Sequence, residues 1–158
     1  MPHRVSLTVG FAVLCLLTPS AAQAQTTARD SVVATLQRAF DAMRARDTTA
    51  LRATLDSTAL LFGVPDDATR PMRPRTVSQF LRDVATTPAD KAFDERMFDP
   101  DVHVEGPLAQ LWTYYTFREG RTFSHCGIDA VTLARARDGW RIVHWIWSVR
   151  RTGCTRTE

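Results

Sequence analysis

An α+β domain, with N-terminal helices packed on a curved antiparallel sheet, is the fold class predicted by a change of periodicity partway along the chain. Up to Thr86-Thr87-Pro88 the apolar residues mostly recur at spacings of three and four, which marks helix faces. From Ala92 onward they alternate, which marks half-buried strands. Gly106-Pro107, Glu119-Gly120-Arg121 and Asp138-Gly139 then cut the second half into strands joined by tight turns. Helices first and a meander afterwards is the order of an α+β layout.

The chain opens with Arg4, the apolar run Val5 to Leu17 and the small-residue stretch Ala21-Ala22-Gln23-Ala24, the three-part pattern of a signal peptide. About 13 apolar residues fall short of the ~20 that span a bilayer. Residues 1–24 are therefore expected to be cleaved, and 25–158 to form a single exported domain, periplasmic or secreted. Asp30 is expected to cap a first helix over Ser31 to Arg46, with Val33, Leu36, Phe40 and Met43 on its apolar face. Asp47-Thr48-Thr49 starts a short second helix that carries Leu51 and Leu55 and ends near Asp56. Leu60 to Val64 reads as a buried strand, Pro65 to Arg75 as a loop, and Thr76 or Ser78 as the cap of a third helix bearing Val77, Phe80, Leu81 and Val84. Strands follow at Phe93 to Phe98 and Val102 to Glu105, kinked apart by Asp99-Pro100, then at Leu108 to Arg118, Phe123 to Ala136 and Trp140 to Arg151.

Without Arg4 the chain keeps 19 of its 20 basic residues against 17 acidic ones, a balance that predicts no nucleic-acid surface and no membrane surface. His103, His125, His144 and the cysteines lack the short paired spacing of a metal site, so no metal is expected. Neither a Gly-x-Ser-x-Gly nucleophile nor a glycine-rich phosphate loop is present, and no cofactor is expected. Cys15 leaves with the signal, and the remaining Cys126 and Cys154 are expected to pair in an oxidising compartment. Cys126 should face Arg151, so the tail must curl back for its sulfur to meet that of Cys154.

Strand register extends the reading to a site. With Asp138-Gly139 as the two central residues of a type I′ turn, Leu133 faces His144, Val131 faces Ile146 and Asp129 faces Ser148. A turn centred on Gly120 pairs Phe117 with Phe123, Tyr115 with His125 and Leu111 with Asp129. One face then collects Ala109, Leu111, Thr113, Tyr115, Phe117, His125, Asp129, Val131, Leu133, Trp140, Ile142, His144, Ile146 and Ser148. It is mostly apolar, and Tyr115, His125, Asp129, His144 and Ser148 are its polar intrusions, the composition of a pocket for a small apolar ligand. Each intrusion also has a plain reading as a buried polar group satisfied by hydrogen bonds, with Ser148 serving Asp129. Along each strand His144 to Ser148 and His125 to Asp129 are about 13 Å apart, too far for a tight acid-base dyad. The opposite face carries Trp112, Tyr114, Trp145 and Trp147. That patch is large enough to require a cover, either a second copy of the chain or a helix or the tail of the same chain.

Three segments, Ala109-x-Leu111-Trp112-x-x-Tyr115-x-Phe117, Ser124-His125-Cys126-Gly127 and Asp138-Gly139-Trp140-Arg141-Ile142-Val143, together with the element order, resemble the nuclear transport factor 2-like superfamily in its SnoaL-like branch. The resemblance covers Arg29 to Arg151 and implies a cone-like, cystatin-like roll with a pocket between helices and sheet. It also implies a homodimer through the outer sheet face. Three functions follow as expectations: a small-molecule binder without assigned chemistry, a lyase or isomerase with Asp129 as general base and Tyr115 or His125 as donor, and a protein-interaction module using the Trp-rich face.

Overall fold

The computed structural model describes residues 21–67 and 69–156, so the expected signal peptide lies outside the described residues as far as position 20, Cys15 included. Helix α1 spans Ala21–Ala45. Asp30, expected as its cap, sits inside it instead. The Ala- and Gln-rich stretch upstream propagates the helix, and the hydroxyls of Thr27, Ser31 and Thr35 each donate to a carbonyl four residues back. The buried face is Val32, Leu36, Ala39, Phe40 and Met43. Asp47 accepts hydrogen bonds from the N–H groups of Thr49 and Ala50 at 3.0 and 2.9 Å and starts α2, Thr48–Arg52. Helix α3, Val77–Thr86, opens with a capping box between Thr76 and Gln79 and buries Val77, Phe80, Leu81 and Val84.

The strands are β1 (Leu55–Val64), β2 (Arg75–Thr76), β3 (Phe93–Glu105), β4 (Leu108–Glu119), β5 (Thr122–Ala136) and β6 (Gly139–Ser148). They form one six-stranded sheet in the order β2-β1-β6-β5-β4-β3. Strands β3 to β6 are the expected antiparallel meander. Strand β1 pairs parallel to β6, so the sheet is mixed rather than wholly antiparallel. Asp99, at φ 51°, shifts the register of β3 without ending it. On either side of that shift Phe93, Glu95, Met97, Val102 and Val104 point toward the helices. Arg44 of α1 donates to Asp94 at 2.7 Å and to the Glu95 carbonyl at 3.2 Å, tying the helix to this strand. Although burial opposes its ionisation, hydrogen bonds from Arg44 and Arg96 hold the Asp94 carboxyl below its ordinary range.

Both hairpins depart from the expected register, with opposite consequences. In the β4–β5 hairpin Glu119 pairs with Thr122, and an extra residue, Ser124, shifts the ladder so that Phe117 faces His125, Tyr115 faces Gly127 and Thr113 faces Asp129. From His125 onward the total slip is two residues, and those side chains keep their expected face, whereas Phe123, expected opposite Phe117, pairs with Arg118. In the β5–β6 hairpin Ala136 pairs with Gly139, so the turn is centred on Arg137-Asp138 and not on Asp138-Gly139. The positive φ, 131°, belongs to Gly139 as the first residue of β6, while Asp138 is engaged by Arg141. Leu133 then faces Ile142, Thr132 faces His144, and Val143 is left over as a bulge. Beyond that bulge the faces reverse. Trp145 and Trp147 point toward the helices, and His144, Ile146 and Ser148 point away.

The Trp-rich outer face is correspondingly smaller than expected. Trp145 is 2% exposed and belongs to the core, whereas Trp112, at 58%, stays outside with Leu60 and Val64. Part of the face is covered by the tail. Cys126 and Arg150 exchange backbone hydrogen bonds, Cys126 and Cys154 form the expected disulfide, and the Thr155 N–H donates to the Tyr114 hydroxyl at 3.2 Å. Arg156 pairs with Asp99 at 2.8 Å and lies 4.8 Å over the Phe98 ring. Among the described residues no helix is long and apolar enough to cross a membrane.

The disulfide closes a loop across a separation of 28 residues. Its reduction should lower the unfolding free energy by about 2–4 kcal/mol. Urea denaturation with and without reductant measures this. An unchanged midpoint would mean that the noncovalent contacts of the tail suffice.

Candidate functional site

A cavity of about 230 Å³ opens between α1, α3 and the inner face of the sheet. Its walls are aromatic: Phe80 from α3, Phe93 from β3, Tyr115 and Phe117 from β4, and Trp145 and Trp147 from β6. Trp145 anchors this wall, with its ring centre 5.7 Å from Phe40, 5.9 Å from Phe80 and 6.2 Å from Trp147. Met43, His125, Glu95, Arg75 and Glu119 complete the lining.

Glu95 forms the polar floor, backed by the buried Asp129. Asp129 is 0% exposed and accepts a hydrogen bond from Trp145 Nε1 at 2.8 Å. Its other oxygen, Oδ2, finds no N–H or hydroxyl donor among the described residues. The Glu95 carboxyl lies beside it and is coupled to Asp129, so a proton shared by the two acids relieves their repulsion. Burial, together with the adjacent Asp129 charge, pushes Glu95 well above the ordinary carboxyl range. Burial pushes Asp129 up to about 7, against the lowering by its bonds from Trp145 and Glu95. The two groups therefore behave as one pair that retains a proton at neutral pH.

Tyr115 lies over Gly127, where a Cβ would stand 2.8 Å from the ring and 1.9 Å from the Ser148 carbonyl oxygen. The missing side chain lets the Tyr115 hydroxyl donate to that carbonyl at 2.8 Å. Burial, with Glu95 and Asp129 nearby, raises the phenol above its ordinary value, so the proton stays in this bond. His125 stacks on Phe117 at 4.7 Å and meets Tyr115 edge-on at 5.7 Å. Burial and the nearby Arg151 lower its pKa to about 4, which leaves a neutral imidazole at neutral pH.

Of the five expected pocket residues, Tyr115 and His125 line the cavity. Asp129 is inward but sealed behind Glu95. His144 and Ser148 do not reach the cavity, because the Val143 bulge turns them to the other face. His144 packs 5.5 Å from Phe62, and the Ser148 hydroxyl accepts from the Ile128 N–H at 3.0 Å. The partner expected for Asp129, Ser148, is replaced by Trp145. Glu95 is the residue that sequence reasoning missed. Its signal was the alternation Phe93, Glu95, Met97, which places an acid at an inward position of an apolar face. Among the described residues no three His, Cys, Asp or Glu side chains gather as metal ligands would.

A family model described as "Putative lumazine-binding" matches residues 27–148. No curated protein matches the chain. Solved structures share its fold. A nuclear transport factor 2-like superfamily protein from Salmonella enterica is 20% identical with a TM-score of 0.64, over 85% of this chain and 99% of that one. A protein of the same superfamily with a cystatin-like fold, from Novosphingobium aromaticivorans, is 14% identical with a TM-score of 0.66, over 87% and 90%. A "putative dehydratase" of the family from Streptomyces avermitilis is 17% identical with a TM-score of 0.63, over 80% and 98%. These likenesses give the chain a nuclear transport factor 2-like, cystatin-like α+β fold, as its sequence pattern implied.

Carboxyl groups whose folded pKa lies above the unfolded value bind more protons when folded. Stability then falls as pH rises between the two values. For Asp129 that window runs from the ordinary 3.8 to about 7, and Glu95, also raised, acts with the same sign. His125, held at about 4 against its ordinary 6.5, contributes the opposite slope in both proteins, so the test is the difference: in urea titrations from pH 4 to 8 the wild type should lose stability relative to Glu95→Gln as pH rises. Equal slopes for the two proteins would remove the pair as the cause.

Proposed function

The chain belongs to the family described as "Putative lumazine-binding", and from that premise we propose that it is a small-molecule-binding domain whose cavity takes a planar ring. The observation that carries this reading is the cavity itself: six aromatic side chains around the buried acid Glu95. Flat aromatic walls favour a flat ligand through offset stacking and edge contacts. The Glu95–Asp129 pair gives such a ring a hydrogen-bonding edge to dock against. Lumazine, from which the family takes its description, is a planar heteroaromatic bicycle with donors and acceptors on its rim. A volume of about 230 Å³ suits one or two fused rings.

A lyase or isomerase of the SnoaL-like kind is the second reading, and Glu95 favours it. Asp129 as general base would have to act through Glu95, which faces the cavity, so Glu95 transfers the proton and Asp129 positions it. Tyr115 has committed its hydroxyl to the Ser148 carbonyl and is a poor candidate for the oxyanion donor. The fold shared with the Streptomyces protein is in keeping with this chemistry without selecting it.

Export to an oxidising compartment accompanies either reading, supported by the Cys126–Cys154 disulfide. A homodimer through the outer face, or an interaction with another protein there, would rest on Trp112, Leu60 and Val64, because Trp145 and Trp147 belong to the core side and the tail engages Tyr114.

Titration with a panel of planar one- and two-ring compounds that includes lumazine, followed by tryptophan fluorescence, tests the binding reading. Saturable quenching at one site is expected, weakened about tenfold or more in Phe93→Trp, which narrows the cavity. No saturable quenching by any panel member rejects it. For the catalytic reading, Glu95→Gln should keep ring binding and abolish turnover of any converted compound. Retained turnover would eliminate Glu95 as the proton carrier.

A further inference from the structure

We propose that the ligand carries an anionic group at its solvent-facing end, held by arginines at the cavity mouth while its uncharged ring lies inside. This rests on the ring-binding reading above and names the chemical class of the ligand. Outside the aromatic cavity lies an open vestibule of about 1020 Å³, and the two share Arg75 and Trp147 as lining residues. The two spaces adjoin at these side chains, so a ligand seated against the Trp147 ring lies next to the vestibule.

The vestibule wall carries Arg70, Arg73, Arg75 and Arg151 against a single acid, Asp66. Four arginines against one aspartate make this mouth locally cationic. The four arginines come from two separate stretches of chain. Arg70, Arg73 and Arg75 lie on the segment between β1 and α3, which Pro65, Pro71 and Pro74 stiffen. Arg151 follows β6, three residues before Cys154, and the disulfide holds it in place. Arg75 pairs with Asp83 at 3.2 Å. Arg73 and Arg151 form no ion pair with any described residue, so both guanidinium groups retain their capacity for a bidentate partner.

The opposite end of the cavity sets the ligand's direction. An anion placed against the Glu95–Asp129 pair would meet a buried carboxylate, and a cationic substituent at the mouth would meet the arginines. A neutral hydrogen-bonding ring edge inside and a carboxylate or comparable anion outside satisfies both ends. His125 is neutral and contributes no competing charge between them.

Two isosteric probes isolate the charge: 1-naphthaleneacetate and 1-naphthaleneacetamide, titrated calorimetrically into the intact protein at low salt. The expected result is a preference for the acetate of about tenfold or more, the size of a charge-assisted hydrogen bond. Raising the salt to 0.5 M should reduce the preference, and the double variant Arg73→Gln/Arg151→Gln should bring the ratio close to one. Circular dichroism and thermal melting check that the variant is folded. Equal binding of the two probes to the wild type, or a preference that survives the double substitution, overturns the inference and leaves ring binding standing. Binding of neither probe, together with no binding of the neutral ring panel, overturns both readings. Binding of neutral rings alone overturns only this one.

Discussion

The hydrogen bond from Trp145 Nε1 to Asp129 Oδ1, 2.8 Å long in a region closed to water, is the interaction on which the site depends. A buried carboxylate is tolerated only where donors replace its hydration, and the indole N–H is one such donor. The same indole packs against Phe40 of α1 and Phe80 of α3, so the group that satisfies Asp129 also docks the helices on the sheet. One oxygen of Asp129 is occupied by Trp145, and Glu95, coupled to Asp129, lines the cavity as an acid whose ionisation burial and that neighbour oppose. A single ring thus couples core packing, carboxyl chemistry and the aromatic wall.

That coupling exists because β6 carries a bulge. In an unbroken strand, the alternation that places Trp140 and Ile142 inward would continue to His144 and Ile146, and both tryptophans would face outward. Val143 absorbs one residue, the phase reverses, and Trp145 and Trp147 enter the core side opposite Leu61 and Gly63 of β1. The cost of a broken ladder at one position is offset by burial of two large aromatic surfaces. A core arranged for stability alone would fill the Glu95 and Asp129 positions with apolar side chains, because a carboxyl pair regains only part of its lost hydration. Its presence in a cavity with aromatic walls is in keeping with recognition.

The tail shows the same economy on the other side of the sheet. The disulfide fixes the chain after β6 against β5, and from there the tail reaches Tyr114 and Phe98 and covers part of an apolar face. It also brings Val149 and Arg151 to the mouth of the cavity. One covalent link therefore protects the outer sheet surface and shapes the vestibule.

Local chemistry in the sequence determined α3, the start of α2 but not its end, since Leu55 and Asp56 belong to β1, the capping residues Asp47 and Thr76, the meander from Phe93 onward, the inward face of β4 and β5 with Tyr115, His125 and Asp129, and the pairing of Cys126 with Cys154. Each of these depends on neighbours a few residues apart or, for the cysteines, on there being a single expected pair. The tertiary structure alone decided that β1 joins β6 in parallel, that the last turn is centred on Arg137-Asp138, and that the ladder slips by one at Val143. A period-two pattern records which residues alternate but not where one is skipped. The skip at Val143 is selected by packing of Trp145 against Phe40 and Phe80, residues more than sixty positions away along the chain. For the same reason the partners of Asp129 were hidden: Glu95 and Trp145 lie on different strands, and only the folded sheet brings their side chains to one carboxylate.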